Sequence, residues 1–217
     1  MLIVSKSHFA KGLLLMVSFA VVFGVIFMPI FGGVNGLDFA DNLFNKLSKG
    51  SSYFIPAVSK AVEPLKGKEV KVKIKMSTPE DRAGAIAVLT KAGGQAAVEG
   101  EAVVYSADLG AVLSKVLVDS DAMYKNDGQK VSQVYDMDEK KAMKLWWQLL
   151  FASIIPMQKQ KLIAEASVVS TVLKKAVEPA YNFYGIEAES VGSKALVLIG
   201  LLFFYVLYTV WYGFAIF

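Results

Sequence analysis

The sequence contains no cysteine and only one histidine, His8. Without thiols the chain cannot form disulfides, thiolate metal sites, iron–sulfur clusters or covalently attached haem. Because His8 lies among the first few residues, the long middle part of the chain has neither an imidazole nor a thiol. A Ser-His-acid triad, a thiol nucleophile and a histidine-ligated zinc are therefore excluded from that part.

Other motifs for catalysis or cofactor binding are also missing. The sequence has no P-loop and no dinucleotide-binding glycine fingerprint. Neighbouring serine and lysine residues, such as Ser114 and Lys115, point apart on a helix, which argues against a serine–lysine dyad. The acidic stretch DSDAMYKNDGQ, residues 119–129, fits the spacing of a calcium loop poorly. We therefore expect a non-catalytic protein with no cofactor and no metal.

Charged residues are absent from two long apolar runs, residues 12–31 and residues 195–217. A helix needs about 20 apolar residues to cross about 30 Å of hydrocarbon, so both runs predict transmembrane helices. The first run is longer than the apolar region of a usual signal peptide, and FGGVNG is a poor cleavage site, so an uncleaved anchor is favoured. The absence of charge within both runs argues against transport by this chain alone. In the second run, an aromatic belt or a contact between helices would involve Tyr205, Tyr208, Trp211 and Tyr212.

The charges around the first run favour a cytoplasmic N-terminus. The tail of residues 1–11 carries Lys6 and Lys11 without an acid, whereas the other flank balances Asp38 and Asp41 against two lysines. The positive-inside rule then predicts an integral protein of a bacterial inner membrane, with its middle domain outside the cytoplasm. Lys194, just before the second run, argues weakly for the opposite orientation.

Between the two crossings we expect three segments, residues 32–68, 69–136 and 137–194. The first is a helical juxtamembrane segment. Its longer helix ends at Gly50 and a short one follows at residues 56–64. One face of the longer helix would carry Leu37, Ala40, Phe44 and Leu47.

The second segment, residues 69–136, predicts a small α+β domain. EVKVKIKM, residues 69–76, alternates apolar residues with lysines, which is typical of a half-buried strand. Thr78 is placed to cap a helix, two short strands meet near Gly100, a second helix begins near Asp108, and QKVSQVYD, residues 129–136, predicts a last strand. The order β-α-β-β-α-β is that of a ferredoxin-like domain. The expected fold is thus an α+β membrane protein with two transmembrane helices flanking one extracytoplasmic domain.

The lysine row on the predicted strand is its one ordered polar feature: Lys71, Lys73 and Lys75. A solvated strand face explains it, and a basic surface for anionic lipid or an acidic partner is the functional alternative. Nucleic acid is disfavoured because no aromatic residues are interleaved with the lysines.

The third segment contains LWWQLLFASIIP, residues 145–156, which has no charge. It is too short for a third crossing, so it belongs to the core or to a contact with a membrane surface or partner. A helix should start at Asp136 and be interrupted at Pro156, and an amphipathic helix should follow. Trp146 and Trp147 are consecutive, so they cannot both face one core. We expect one of them, with Phe151, to face a partner or lipid.

These expectations favour an accessory or scaffold subunit of a larger membrane complex. About eleven residues precede the first run and none follow the second, so no signalling domain is expected beyond the membrane. The expected partners are the bilayer and other subunits of a membrane complex, or further copies of the chain. The alternative is an anchored extracytoplasmic domain that binds a small molecule or a lipid.

Overall fold

The computed structural model describes residues 5–216. The fold is α+β, mostly helical, with one small sheet and two helices long and apolar enough to cross a membrane. Contacts divide it into two compact units. The first comprises the described residues up to Ser51 together with those from Glu187 onward, and the second is Ser52–Ile186.

The first unit is built on two apolar helices, α1 (Lys6–Ile26) and α10 (Ala195–Ile216), which pack against each other. Gly12, near the start of α1, lies beside the backbone of Ala215, near the end of α10. Further along, the Phe19 ring stacks on the Tyr208 ring, with centroids 4.2 Å apart. These two contacts define an antiparallel pair. A short 3₁₀ turn, Gly192–Lys194, precedes α10.

The first apolar helix lies earlier in the chain than the run of residues 12–31 predicted. It includes Lys6 and Lys11 and ends at Ile26. Pro29 disfavours helical geometry at the residue before it, so the helix stops before Met28. Gly32 and Gly33, both with positive φ, then make the turn into α2 (Gly36–Ser51).

The expected apolar face of α2 is wrong in part. Leu47 is buried, but Leu37 and Phe44 are exposed, and the helix continues through Gly50 to Ser51. A Cβ on Gly50 would overlap the Glu189 carbonyl oxygen. In the same region the Glu189 backbone N–H donates to the Lys46 carbonyl at 3.1 Å. Gly50 therefore permits a close backbone approach and does not end the helix.

The second unit contains a three-stranded antiparallel sheet in the order β1-β3-β2. Its strands are β1 (Glu69–Lys75), β2 (Gln95–Glu99) and β3 (Ala102–Asp108). The alternation predicted for β1 is confirmed, because Val70, Val72 and Ile74 are buried and the lysines between them are exposed.

Two capped helices accompany the sheet, α4 (Pro79–Lys91) and α5 (Leu109–Tyr124). The predicted cap at Thr78 and the predicted helix start near Asp108 are confirmed. The Thr78 hydroxyl accepts from the Asp81 N–H at 3.0 Å, and Asp108 accepts from the Ala111 N–H at 3.1 Å. A short helix, α3 (Ile55–Val62), precedes β1, with a 3₁₀ turn, Glu63–Leu65, between them.

The expected fourth strand, residues 129–136, is wrong: this segment is helix α6 (Gly128–Tyr135). Its apolar residues, Val131, Val134 and Tyr135, are spaced by three and four, which is the helical period. Val131 and Tyr135 are buried in the core. The part of the chain that the structure describes therefore contains a β-α-β-β-α order without the last strand of a ferredoxin-like sheet.

The remaining helices are α7 (Glu139–Lys159), α8 (Ile163–Val172) and α9 (Glu178–Asn182), with a π-helical turn, Leu173–Val177, between the last two. Asp138 caps α7 by accepting from the Lys141 N–H at 2.9 Å, whereas Asp136 ends α6 with positive φ. The predicted start at Asp136 is therefore wrong. Pro156 does not end α7 either, since the helix continues to Lys159.

One hydrophobic core joins the sheet to these helices, and Tyr105 of β3 lies within it. Its hydroxyl is 2.8 Å from the Ser153 hydroxyl of α7. Burial raises the pKa of Tyr105 to about 12, above the value of about 10 for an exposed phenol. The unfolded chain therefore loses this proton at a lower pH than the folded chain. The contribution to stability is complete below about pH 10 and is lost as the pH rises through about 12.

We predict that Tyr105→Phe will flatten the alkaline decline in stability. From about pH 9 to about pH 11, the free energy of unfolding should fall by about 1 kcal/mol more in the wild type than in the variant. Denaturant titrations of the detergent-purified protein at both pH values measure this difference. Parallel declines would show that Tyr105 does not titrate differently in the folded state.

Candidate functional site

The two consecutive tryptophans of α7 face opposite environments. The Trp146 side chain is fully buried, and its Nε1–H donates to a carboxylate oxygen of Asp119 at 3.1 Å. Successive residues on a helix are rotated by about 100°, so Trp147 points away from that core, and it is 36% exposed. Of the two tryptophans predicted as contact residues, only Trp147 is available to a partner or to lipid.

Asp119 of α5 is a buried carboxylate that receives three hydrogen-bond donors. Besides Trp146, it accepts from the Lys115 ammonium at 2.6 Å and from the Tyr135 hydroxyl. Burial, the hydrogen bond to Asp119 and its negative charge raise the pKa of Tyr135 well above its usual range, so its phenol remains a donor. Because the donors come from α5, α6 and α7, this carboxylate fixes how the three helices are rotated toward one another.

An apolar stripe runs along the outer side of α7. It consists of Trp147, Phe151 and Ile155, spaced four residues apart, and we call it the α7 stripe. Phe151 is 57% exposed and Ile155 61% exposed. The Trp147 and Phe151 rings stack with centroids 5.1 Å apart and planes 6° from parallel. Contiguous exposed apolar surface of this kind is typical of interaction sites.

A groove follows the C-terminal half of α7, where that helix packs against α8. Its volume is about 460 Å³. Ile154 and Ile163 supply apolar wall, Ser170 and Thr171 supply hydroxyls, and Lys174 and Lys175 bring positive charge. Both lysines lie on the π-helical turn, a feature that is frequent at functional sites. We call this cavity the α7–α8 groove.

A second cavity, of about 360 Å³, lies at the N-terminal half of α7 beside α9. Five residues line it: Lys144, Trp147, Glu178, Tyr181 and Asn182. The Trp147 Nε1–H donates to the Glu178 carboxylate at 3.0 Å, which holds the indole in place. This cavity, called the Trp147 cavity below, combines two aromatic rings with one positive and one negative side chain.

The predicted lysine row lies on the exposed face of β1, which is an edge strand of the sheet. The Lys73 ammonium pairs with the Glu99 carboxylate of β2 at 2.8 Å. At the edge, the Lys71 carbonyl accepts from the Gln160 side chain at 3.0 Å. Lysines on an edge strand also oppose pairing with other chains. Helix α7 packs against β1, whereas Lys71, Lys73 and Lys75 lie on the exposed face of that strand.

The aromatic residues of α10 serve more than one environment. Tyr208 stacks on Phe19 of α1, and the Tyr212 ring centre lies 5.2 Å from that of Phe19, so both tyrosines contribute to the contact between the helices. Tyr205 is exposed and faces away from that contact. Trp211 lines a cavity between α1 and α10.

Several residues at these cavities were not among the sequence candidates. Glu178 and Tyr181 enter the site because α9 packs beside α7. Lys174 lies on the same run of helix, and its place in the site depends on the π-helical turn. No pattern in the sequence marks that turn.

In residues 5–216, no group of three or more His, Asp or Glu side chains is placed to hold a metal ion. Comparisons with protein-family models, curated proteins and solved structures found no significant match to this chain.

We predict that the two tryptophans will respond differently to the same substitution. Trp146→Phe removes a donor to buried Asp119 and leaves a small cavity, so the free energy of unfolding should fall by about 2–3 kcal/mol. Trp147→Phe, the matched control, should change it by about 0.5 kcal/mol or less because that side chain is partly exposed. Denaturant titration of the detergent-purified variants measures both values. Equal effects would contradict the rotation of α7 described above.

Proposed function

We propose that this chain is a non-catalytic accessory or scaffold subunit of a larger membrane protein complex. The observation that carries the proposal is the α7 stripe, an exposed apolar surface on the middle unit. That unit is connected at both ends to helices long and apolar enough to cross a membrane. A surface tethered in this way meets membrane partners at a high effective concentration, so moderate affinity is enough for stable assembly.

The partner proposed for the α7 stripe is a helix with an apolar face and acidic flanks. Lys144, Lys174 and Lys175 line the two cavities beside α7, and among the described residues Glu178 is the single acid that lines either cavity. This excess of positive charge complements acidic side chains. An exposed apolar row with a spacing of four residues also matches the way helices dock on one another.

We further propose a bacterial inner-membrane location, with the N-terminus in the cytoplasm and the middle unit outside. Lys6 and Lys11 before the apolar part of α1 support this orientation through the positive-inside rule. The antiparallel contact between α1 and α10 supports insertion as a helical hairpin. The sheet order β1-β3-β2, with α4 between β1 and β2, supports a relation to the ferredoxin-like arrangement in which α6 follows α5 at the point in the chain where the fourth strand would come.

The second candidate function is binding of a small molecule or lipid in the Trp147 cavity. Its volume of about 360 Å³ is within the range of ligand sites, and aromatic walls with two opposite charges are suited to a zwitterionic or amphiphilic molecule. A bound molecule seen by native mass spectrometry in the wild type, and lost in Glu178→Gln, would favour this candidate.

We predict that Phe151→Asp will dissociate the native complex. The carboxylate would have to be desolvated in an apolar contact, which should weaken association at least about 10-fold. The measurement is the mass of the tagged full chain after gentle detergent extraction, by size exclusion with light scattering. The matched control is Val118→Asp, since Val118 is 63% exposed on α5 and lies outside the stripe.

Two results would overturn the docking proposal. One is a wild-type chain that runs alone at its own mass. The other is a complex that survives Phe151→Asp and Val118→Asp equally. Loss of the partner from Phe151→Asp alone is the expected result.

A further inference from the structure

The cavity between α1 and α10 has a chemical character that the proposed docking function does not use. Its volume is about 620 Å³, and it lies near the start of α1 and the end of α10. Four apolar side chains line it: Leu15, Leu207, Val210 and Phe214. Gly12 also lines it.

The polar residues that line this cavity are Lys11, His8 and Trp211, and the side chain of each carries a hydrogen-bond donor. Within residues 5–216, the structure shows no ion pair to Lys11 and no carboxylate side chain that lines the cavity. A ligand that matches this set must bring acceptor oxygens and negative charge.

The Trp211 indole gives the sharpest indication. Its Nε1 atom is enclosed and has no hydrogen-bond partner among the described residues. An indole N–H can only donate, and leaving such a group buried and unpaired costs about 1–3 kcal/mol. The Lys11 ammonium cannot accept from it, and the indole makes no hydrogen bond to His8 in the part of the chain that the structure describes. An acceptor from outside the chain would satisfy it.

The position of the cavity along the helices indicates where that acceptor comes from. Lys11 and His8 precede the long uncharged part of α1, so this end of the helix pair is placed at the boundary between water and hydrocarbon. Tryptophan is enriched at that level, and lysine near the membrane surface attracts anionic lipids. The apolar wall continues from the donors toward Leu15 and Leu207, where an acyl chain would lie.

We propose that the α1–α10 cavity binds an anionic phospholipid. The lipid phosphate accepts hydrogen bonds from the Trp211 N–H and the Lys11 ammonium, His8 adds a third donor, and one acyl chain follows the apolar wall. The lipid headgroup and free inorganic phosphate offer the cavity the same acceptor oxygens. Only a lipid also fills the apolar part of the cavity.

The test uses the full chain reconstituted in nanodiscs of phosphatidylcholine, alone or with added phosphatidylglycerol. Lipid retained by the protein after gentle detergent release is counted by native mass spectrometry. Trp211→Phe keeps the ring and removes only the N–H, so it should weaken phosphatidylglycerol retention about 10-fold. Lys11→Gln should weaken it severalfold. Lys6→Gln is the control, since it removes the same charge from α1 outside the cavity.

Each outcome decides the proposal. Selective retention of phosphatidylglycerol that is lost in Trp211→Phe and Lys11→Gln but kept in Lys6→Gln supports it. Equal losses for Lys6→Gln and Lys11→Gln, with no effect of Trp211→Phe, overturn it and leave only unspecific charge attraction. Inorganic phosphate is also added to the phosphatidylcholine sample, and thermal unfolding is measured. A rise in unfolding temperature equal to that caused by phosphatidylglycerol overturns the lipid as the ligand. Unchanged thermal unfolding of both cavity variants in phosphatidylcholine confirms that they are folded.

Discussion

The buried carboxylate of Asp119 is the interaction on which the rest of the middle unit depends. It receives donors from α5, α6 and α7, and each donor is itself partly or fully buried. A buried charge is tolerated only when such donors surround it, so the three helices cannot rotate independently. Trp146 must point inward to reach Asp119. Trp147 must then point outward, and the α7 stripe follows from that one rotation.

The stripe is therefore a consequence of core chemistry more than of surface composition. With Trp146 fixed inside, positions four residues apart from Trp147 also face outward, and in this chain they are Phe151 and Ile155. Soluble surfaces normally carry polar residues at such positions. The stripe instead has three large apolar residues spaced four apart, and contact with another molecule would bury them.

Much of the middle unit could be predicted from the sequence because its signals are local. The alternation of Val70 with lysines specifies a half-buried strand, and the side chains of Thr78 and Asp108 specify helix starts. The sequence predictions are wrong where two signals compete. Val131 and Tyr135 have helical spacing, whereas the order of the preceding strands and helices favours a strand there. Asp136 and Asp138 are both good caps, and only the left-handed backbone at Asp136 separates the two helices.

The cavities were much less predictable, because they depend on packing between distant segments. Glu178 comes beside Trp147 only through the packing of α9 against α7, and the π-helical turn sets which lysines face the groove. The donor set of Lys11 and Trp211 joins opposite ends of the chain, so no window of sequence contains it. Helices α1 and α10 carry apolar residues on every face, so the sequence pattern does not indicate which faces meet.

The proposed function requires that a partner covers the α7 stripe in native membranes. Cysteine labelling tests this most directly. The chain has no cysteine, so Phe151→Cys and Val118→Cys each provide a single reactive thiol. Labelling with a membrane-impermeant maleimide is compared in native membranes opened to both sides and in harsh detergent. We predict that Phe151→Cys is protected in membranes and reactive after detergent dissociation, while Val118→Cys reacts in both. Equal and rapid labelling of Phe151→Cys in the native membrane would contradict the claim that the stripe is covered there.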